Sequence, residues 1–223
     1  MENLLEIKFT GWTATPRMPF VLSGNAICLP TPTYSLLLGM IGCCLGRTIE
    51  ASEINFGFYY KFDTVSNDLE TRSRLEFDGK KVKTHSKGSD AYPREFHVNP
   101  ELTIWLNRLD WRTFFENPIG TPALGRSQDL LKIESVKEIW VSPKEKTTIS
   151  GTMIPFSTDI KAAGQLVQLA ESYQENDLVG SGRISSRNKI FMSIPWDAKS
   201  LVNMPNLFET ENQEGFYLHD FKN

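Results

Sequence analysis

The segments LLEIKFTGW (residues 4–12) and YSLLLGMIGCCLGR (residues 34–47) decide the fold. In the first, Leu5, Ile7 and Phe9 alternate with Glu6, Lys8 and Thr10, the period of a strand buried on one face. The second is apolar on nearly every side and reads as a buried helix. Thr33 or Ser35 can cap its start after Pro32, and Gly46 can end it. Gly39 and Gly42, three apart, predict a helix face that lies close against a sheet. Residues 13–33 between them form a loop rich in Pro and Gly, carrying Arg17 and a Ser23-Gly24-Asn25 turn. Strand, long loop and buried helix make the first half of a β-α-β unit.

Working outward, INFGFYYKF (54–62) is aromatic and strand-like. A polar stretch, 63–91, follows. Within it RSRLEFDGKKVKTH places Asp78-Gly79 between short alternating segments, a β-hairpin signal. Such a hairpin has little to bury and should project from the body. YPREFHVNPELTIWLNRL supplies another strand or a pair. Residues 110–116 read as a short helix ended by Asn117-Pro118, and the second half of LLKIESVKEIWV as a strand. Residues 1–142 therefore predict an α+β domain in the ferredoxin-like (RRM-related) order β-α-β-hairpin-β-α-β. Residues 143–223 predict a small C-terminal subdomain. Its expected parts are a strand at 147–157, a helix at 159–174, a basic Gly/Ser loop at 180–189, a strand at 190–196 and an acidic tail docking through its aromatics.

Composition bounds the function. The chain has 223 residues and a net charge of −3, which excludes binding nucleic acid by bulk positive charge. It leaves room for a local basic site. Between residues 80 and 94, Lys80, Lys81, Lys83, Lys87 and Arg94 face the single acid Asp90, a reversal of sign that backbone phosphates commonly explain. A solvated hairpin whose lysines discourage edge pairing gives the same pattern, and composition alone slightly favours it. In the loop 120–128, Gly125 allows close backbone approach, Arg126 offers a bidentate fork and Ser127 a hydroxyl, suited to phosphate or base edges. An ordinary turn with a surface arginine competes with that reading. The helix start Thr33-Tyr34-Ser35 presents N–H groups and hydroxyls at a positive dipole end, with Arg17 expected nearby. Simple N-capping holds there in any case.

Other chemistries find little support. The three cysteines form no CxxC, and no structural zinc pattern can be written. They fit a reducing cytoplasm. His85, His97 and His219 show no HxxxH or HxH spacing, and no metal or other cofactor is expected. GSGRIS at 180–185 is only half of a dinucleotide loop. The N-terminus shows no signal peptide, and the apolar run 36–45 is about half of the ~20 residues a bilayer crossing needs, so no membrane association is expected.

Three stretches in order, GWTATPRMPF (11–20), PTPTYSLLLGMIGCCLGR (30–47) and PALGRSQDLLKI (122–133), resemble the CRISPR-associated protein 5 family. These are RAMP-type subunits of type I Cascade complexes, and the type I-B-like variety looks closest. The resemblance covers the N-terminal two thirds. It implies a ferredoxin-like domain that caps the 5′ handle of the CRISPR RNA, and a β-hairpin thumb, about 71–94, over the RNA beside a backbone subunit. By position, Arg17, Thr33, Tyr34, Ser35, Gly125, Arg126 and Ser127 would lie near the handle. Lys80, Lys81, Lys83 and Arg94 belong to the thumb. The implied partners are the CRISPR RNA 5′ handle, the Cascade backbone and large subunits and, through the complex, target DNA. One branch of that family, in type I-C systems, is itself a metal-independent endoribonuclease using Tyr, Lys and His. His85 or His97 with Lys83 or Tyr92 is the corresponding possibility here, but the rest of the chain looks more like the non-catalytic varieties. A ferredoxin-like interaction module without RNA is the third reading.

Overall fold

A computed structural model describes residues 1–19, 25–175 and 182–221. The strands are β1 (Glu2–Gly11), β2 (Thr13–Ala14), β3 (Asn55–Lys61), β4 (Thr64–Phe77), β5 (Val82–Val98), β6 (Glu101–Leu106), β7 (Leu131–Ile149) and β8 (Thr152–Pro155). There follow β9 (Gln165–Ala170), β10 (Tyr173–Glu175), β11 (Arg183–Ser185), β12 (Asn188–Ile194), β13 (Ser200–Thr210), β14 (Gly215–Tyr217) and β15 (His219–Asp220). The helices are α1 (Tyr34–Leu45) and α2 (Arg112–Glu116), the latter entered through a 3-10 turn at Leu109–Trp111.

One antiparallel sheet, in the order β14-β13-β7-β1-β6-β3-β15, organises the molecule. Its middle strands, β7-β1-β6-β3, have α1 inserted between β1 and β3 and α2 between β6 and β7. Leu5, Ile7 and Phe9 of β1, with Phe56, Phe58 and Tyr60 of β3, meet Leu37, Ile41 and Cys44 of α1 in the main core. The opposite face is covered near the C-terminal strands, where Trp105 stacks on Phe216 at 4.2 Å between ring centres. Trp105 also donates its indole N–H to the buried Glu6 carboxylate at 3.1 Å.

Helix α1 starts and stops as its sequence requires. Thr33 Oγ1 accepts the Leu36 N–H at 3.2 Å, and Gly46 ends the helix at φ 68° with its N–H bonded to the Cys43 carbonyl. The expected role of the glycines needs correction. The sheet-facing positions are bulky, whereas Gly39 is exposed on the far side. Gly42 sits under the C-terminal turn, where a Cβ would meet the Arg47 carbonyl oxygen at 2.7 Å.

The hairpin is longer than 71–94. Strands β4 and β5 pair from Thr64↔Val98 to Phe77↔Val82, with a register shift between Ser73 and Leu75. Three further expectations are corrected. The stretch 147–157 is not one strand: Gly151, at φ 58°, turns the chain between β7 and β8. Residues 159–174 are not helical, since 165–170 form β9 and pair with β12. The boundary expected at 142 falls inside β7, and β13, β14 and β15 belong to the same sheet as β1. The tail does dock through aromatics, with Phe208, Phe216 and Tyr217 buried. Ser23 and Gly24 of the expected turn, and Gly180 and Ser181 of the expected loop, lie outside the described residues.

No helix of the described residues is long and apolar enough to cross a membrane.

Candidate nucleic-acid interface

The residues singled out in the sequence fall into three places. The first is a cavity of about 380 Å³ at the start of α1. Arg17, Thr33 and Ser35 meet there with Arg183, Ser185 and Asn188, while Leu169, Ala170 and Tyr173 complete the wall. Among the described residues that line it, none carries a carboxylate. Two guanidinium groups, three serine and threonine hydroxyls and the positive end of a twelve-residue helix converge on one volume, a donor set suited to a phosphate. Arg17 reaches it because its backbone pairs with Cys28 in an isolated bridge, and Leu29 donates its N–H to the Pro16 carbonyl at 2.8 Å.

Tyr34 does not share this position. It is 1% exposed, its hydroxyl donates to the Met153 carbonyl, and its ring stacks on His219 at 4.0 Å. The phenol is a core group that anchors the helix start from within. Beneath the cavity, His219 Nε2 lies 2.9 Å from the Glu171 carboxylate, which also pairs with Lys189 at 3.1 Å. Burial drives the His219 pKa down, against the opposing pull of Glu171. This cluster joins the ends of α1, β9, β12 and β15, the elements around the cavity.

The Gly-Arg-Ser loop is the second place, and its chemistry is internal. Asp129 is 0% exposed, and its carboxylate accepts from the Thr13 and Thr15 hydroxyls, the Arg126 backbone N–H at 2.9 Å and the Arg126 guanidinium at 3.1–3.2 Å. Burial acts to raise the Asp129 carboxyl, but these donors outweigh it and hold the pKa below the ordinary value. The fork expected to face a phosphate is therefore occupied by Asp129, with Asp68 3.7 Å from its other nitrogen and the Phe96 ring beneath it. Gly125 stands at φ 119°, where a Cβ would collide with the Thr15 carbonyl oxygen. Ser127 is exposed. The loop clamps residues 13–15 and so sets the path on which Arg17 follows two residues later. The sequence signal missed here was Asp129, three residues beyond Arg126 and with the spacing of a turn-closing carboxylate.

The hairpin is the third place. Lys80 and Lys81 are exposed at its turn, which Asp78 closes by accepting both backbone N–H groups at 3.0 Å. Lys83 pairs with Glu76 at 3.3 Å. Arg94 lies at the base, buried and paired with Glu70, and Tyr92 donates its hydroxyl to the same carboxylate at 2.9 Å. It is a structural arginine rather than part of an exposed basic strip. Leu75, Phe77 and Val82 are exposed on one face of the tip.

Two histidines considered for proton transfer differ sharply. His97 is buried, stacked on Phe62 at 3.7 Å and bonded through Nδ1 to the Tyr60 hydroxyl at 2.8 Å, and burial pushes its pKa down to about 4. His85 lies on the hairpin, with its Nε2 3.8 Å from Glu76. Tyr92 is engaged by Glu70, Arg72 and Arg94. Among the described residues no group of His, Cys, Asp and Glu is arranged to hold a metal ion.

No protein family and no curated protein matches the chain in sequence. Solved structures match in fold. A chain of a "CRISPR RNA-guided surveillance complex" has a TM-score of 0.55 at 13% identity, covering 91% of each chain. A chain of "Type III-B Cmr-beta bound to cognate target RNA" has a TM-score of 0.53 at 10% identity, covering 98% of this chain and 99% of that one. A "CRISPR protein from Archaeoglobus fulgidus" has a TM-score of 0.50 at 12% identity, covering 96% of this chain and 97% of that one. At these identities the likeness is one of fold: a sheet-rich protein with few helices, close in length to the chains it matches.

Proposed function

We propose that the chain is a CRISPR RNA-binding assembly subunit of the CRISPR-associated protein 5 family, in a type I Cascade complex of type I-B-like kind. Its β7-β1-β6-β3 sheet, with α1 and α2 between strands, is read as the ferredoxin-like core, and the β4–β5 hairpin as the thumb. The subunit holds the RNA 5′ handle, joins the backbone filament to the large subunit, and meets target DNA only through the complex. One observation carries this reading: the cavity at the start of α1, where Arg17 and Arg183 converge with the hydroxyls of Thr33, Ser35 and Ser185 at the positive end of the helix. Its donors fit a phosphodiester, and a few such contacts need no basic pI. The fold likeness to chains of RNA-guided complexes supports the same reading.

The test is binding of a labelled 5′-handle RNA. Arg17→Ala and Arg183→Ala should each weaken it about tenfold, as expected for a charge-assisted phosphate contact. Each should also reduce the slope of log affinity against log salt by roughly 0.7. Handle binding unaltered in both variants would remove the cavity from the interface. The subunit is proposed to be non-catalytic, so repeat RNA incubated with it in EDTA should stay intact. Specific cutting that is lost in His85→Ala would replace this reading with that of a processing endoribonuclease.

A further inference from the structure

Along the outer face of α1 runs a groove of about 490 Å³, continuous with the cavity at the helix start through Ser35, Tyr173 and Arg183, which line both. Its floor is Gly39, Gly42, Cys43 and Gly46, and its far end is Arg47 and Thr48. The β10–β11 hairpin overhangs it, tied at its base by paired Ser172–Ser186 bonds at 2.9 and 3.0 Å and to the far rim by Gln174 on Glu50 at 3.4 Å. Among the described residues that line it, none carries a carboxylate.

Gly39 gives the groove its meaning. It stands mid-helix, where glycine costs roughly 1 kcal/mol relative to alanine. Its φ is not positive, and a Cβ there would meet no atom of the described residues within 4 Å. Neither backbone conformation nor packing within the described chain requires glycine. A bare helix surface is useful where something flat must lie directly on it. Tyr173, 45% exposed, lines the other side of the same groove with Arg183. An aromatic ring and a guanidinium plane are the groups on which unstacked bases lie.

We infer that this groove receives a nucleobase of a single-stranded RNA whose phosphate sits between Arg17 and Arg183, the base lying between Gly39 and Tyr173. The inference rests on the RNA-binding reading above and adds to it a path along α1 and the residues that line it. Acceptance of different bases follows, because an aromatic ring and a glycine floor offer no fixed pattern of donors and acceptors.

The experiment uses the full chain, the labelled 5′-handle RNA and thermal melts of each variant. Gly39→Leu should melt no lower than the wild type, since leucine favours the helix and points into open groove, yet bind the RNA at least tenfold more weakly. Tyr173→Ala should lose roughly five- to a hundredfold, the range for one stacked base, while Tyr173→Phe keeps binding. Gly39→Leu and Tyr173→Ala both binding like the wild type, while Arg17→Ala is impaired, would overturn the groove and leave the RNA-binding reading standing. A wild-type chain that does not bind the RNA at low salt would overturn both. Loss of binding in Gly39→Leu together with a lowered melting temperature would be decided by Tyr173→Ala, which changes no core contact.

Discussion

Asp129 illustrates how one buried carboxylate redirects the meaning of neighbouring residues. Five donors from three residues converge on it, so Arg126 serves the clamp before it can serve a ligand. Breaking this pair from either side should cost about 3–5 kcal/mol, because the surviving charge is left buried without its partner. Chemical denaturation of Asp129→Ala and Arg126→Ala checks this. Weaker RNA binding in Arg126→Ala is expected as well, through the displaced Arg17 segment, and should be restored by Arg126→Lys to the extent that stability is. His97 contributes to the pH dependence, in the same direction as the buried His219. Its folded pKa of about 4 lies below the ordinary value of 6.5, so the unfolded chain takes up a proton in that window and the folded chain does not. The contribution of this imidazole is therefore complete above pH 6.5 and is lost as pH falls towards 4, by about 3 kcal/mol at 1.36 kcal/mol per unit. Urea midpoints measured at pH 7 and pH 4.5 should differ in the wild type and by less in His97→Phe, the remainder belonging to His219 and the paired carboxylates.

Among the elements, the hairpin is separable and the terminal strands are not. The tip beyond Ser73 buries little, and its Arg74–Asp90 and Lys83–Glu76 pairs are exposed enough to be worth under about 1 kcal/mol each. Replacing Leu75, Phe77 and Val82 by threonine should leave the melting temperature within a degree or two, because none of these side chains has a core to lose. Loss of assembly with a backbone subunit, without loss of stability, is the expected signature of a thumb. Helix α1 and strands β1 and β3 were legible because their apolar periodicity agrees with the surfaces they bury. Strand β9 was misread as helix because Leu166, Val167 and Leu169 suit either period. Pairing with β12 settles the matter, and that is a contact between segments about twenty residues apart.

The architecture as a single unit follows from β7. Its first half pairs with β1 and its second half with β13, so the sheet crosses the boundary that composition suggested at 142. His219 of β15 stacks on Tyr34 of α1, and Phe216 of β14 stacks on Trp105 of β6. A chain ending at residue 142 should therefore fail to give a cooperative melt, and heteronuclear NMR spectra of it should lack native dispersion. A sharp transition near the wild-type temperature would show that the C-terminal strands are accessory.

The order of strands and α1, the Asp78-Gly79 turn and the cap and stop of α1 were readable from residue order, because each depends on neighbours within a few positions. Arg17, Thr33 and Ser35 were likewise singled out as candidate RNA contacts. Tertiary structure decided which candidates share a surface. It turned Tyr34, Arg94 and Arg126 inward to Met153, Glu70 and Asp129, and brought Arg183 across from the C-terminal region to Arg17. A net charge and a motif do not record whether a cation already has its carboxylate, because that depends on partners distant in sequence that only the folded sheet brings within hydrogen-bond reach.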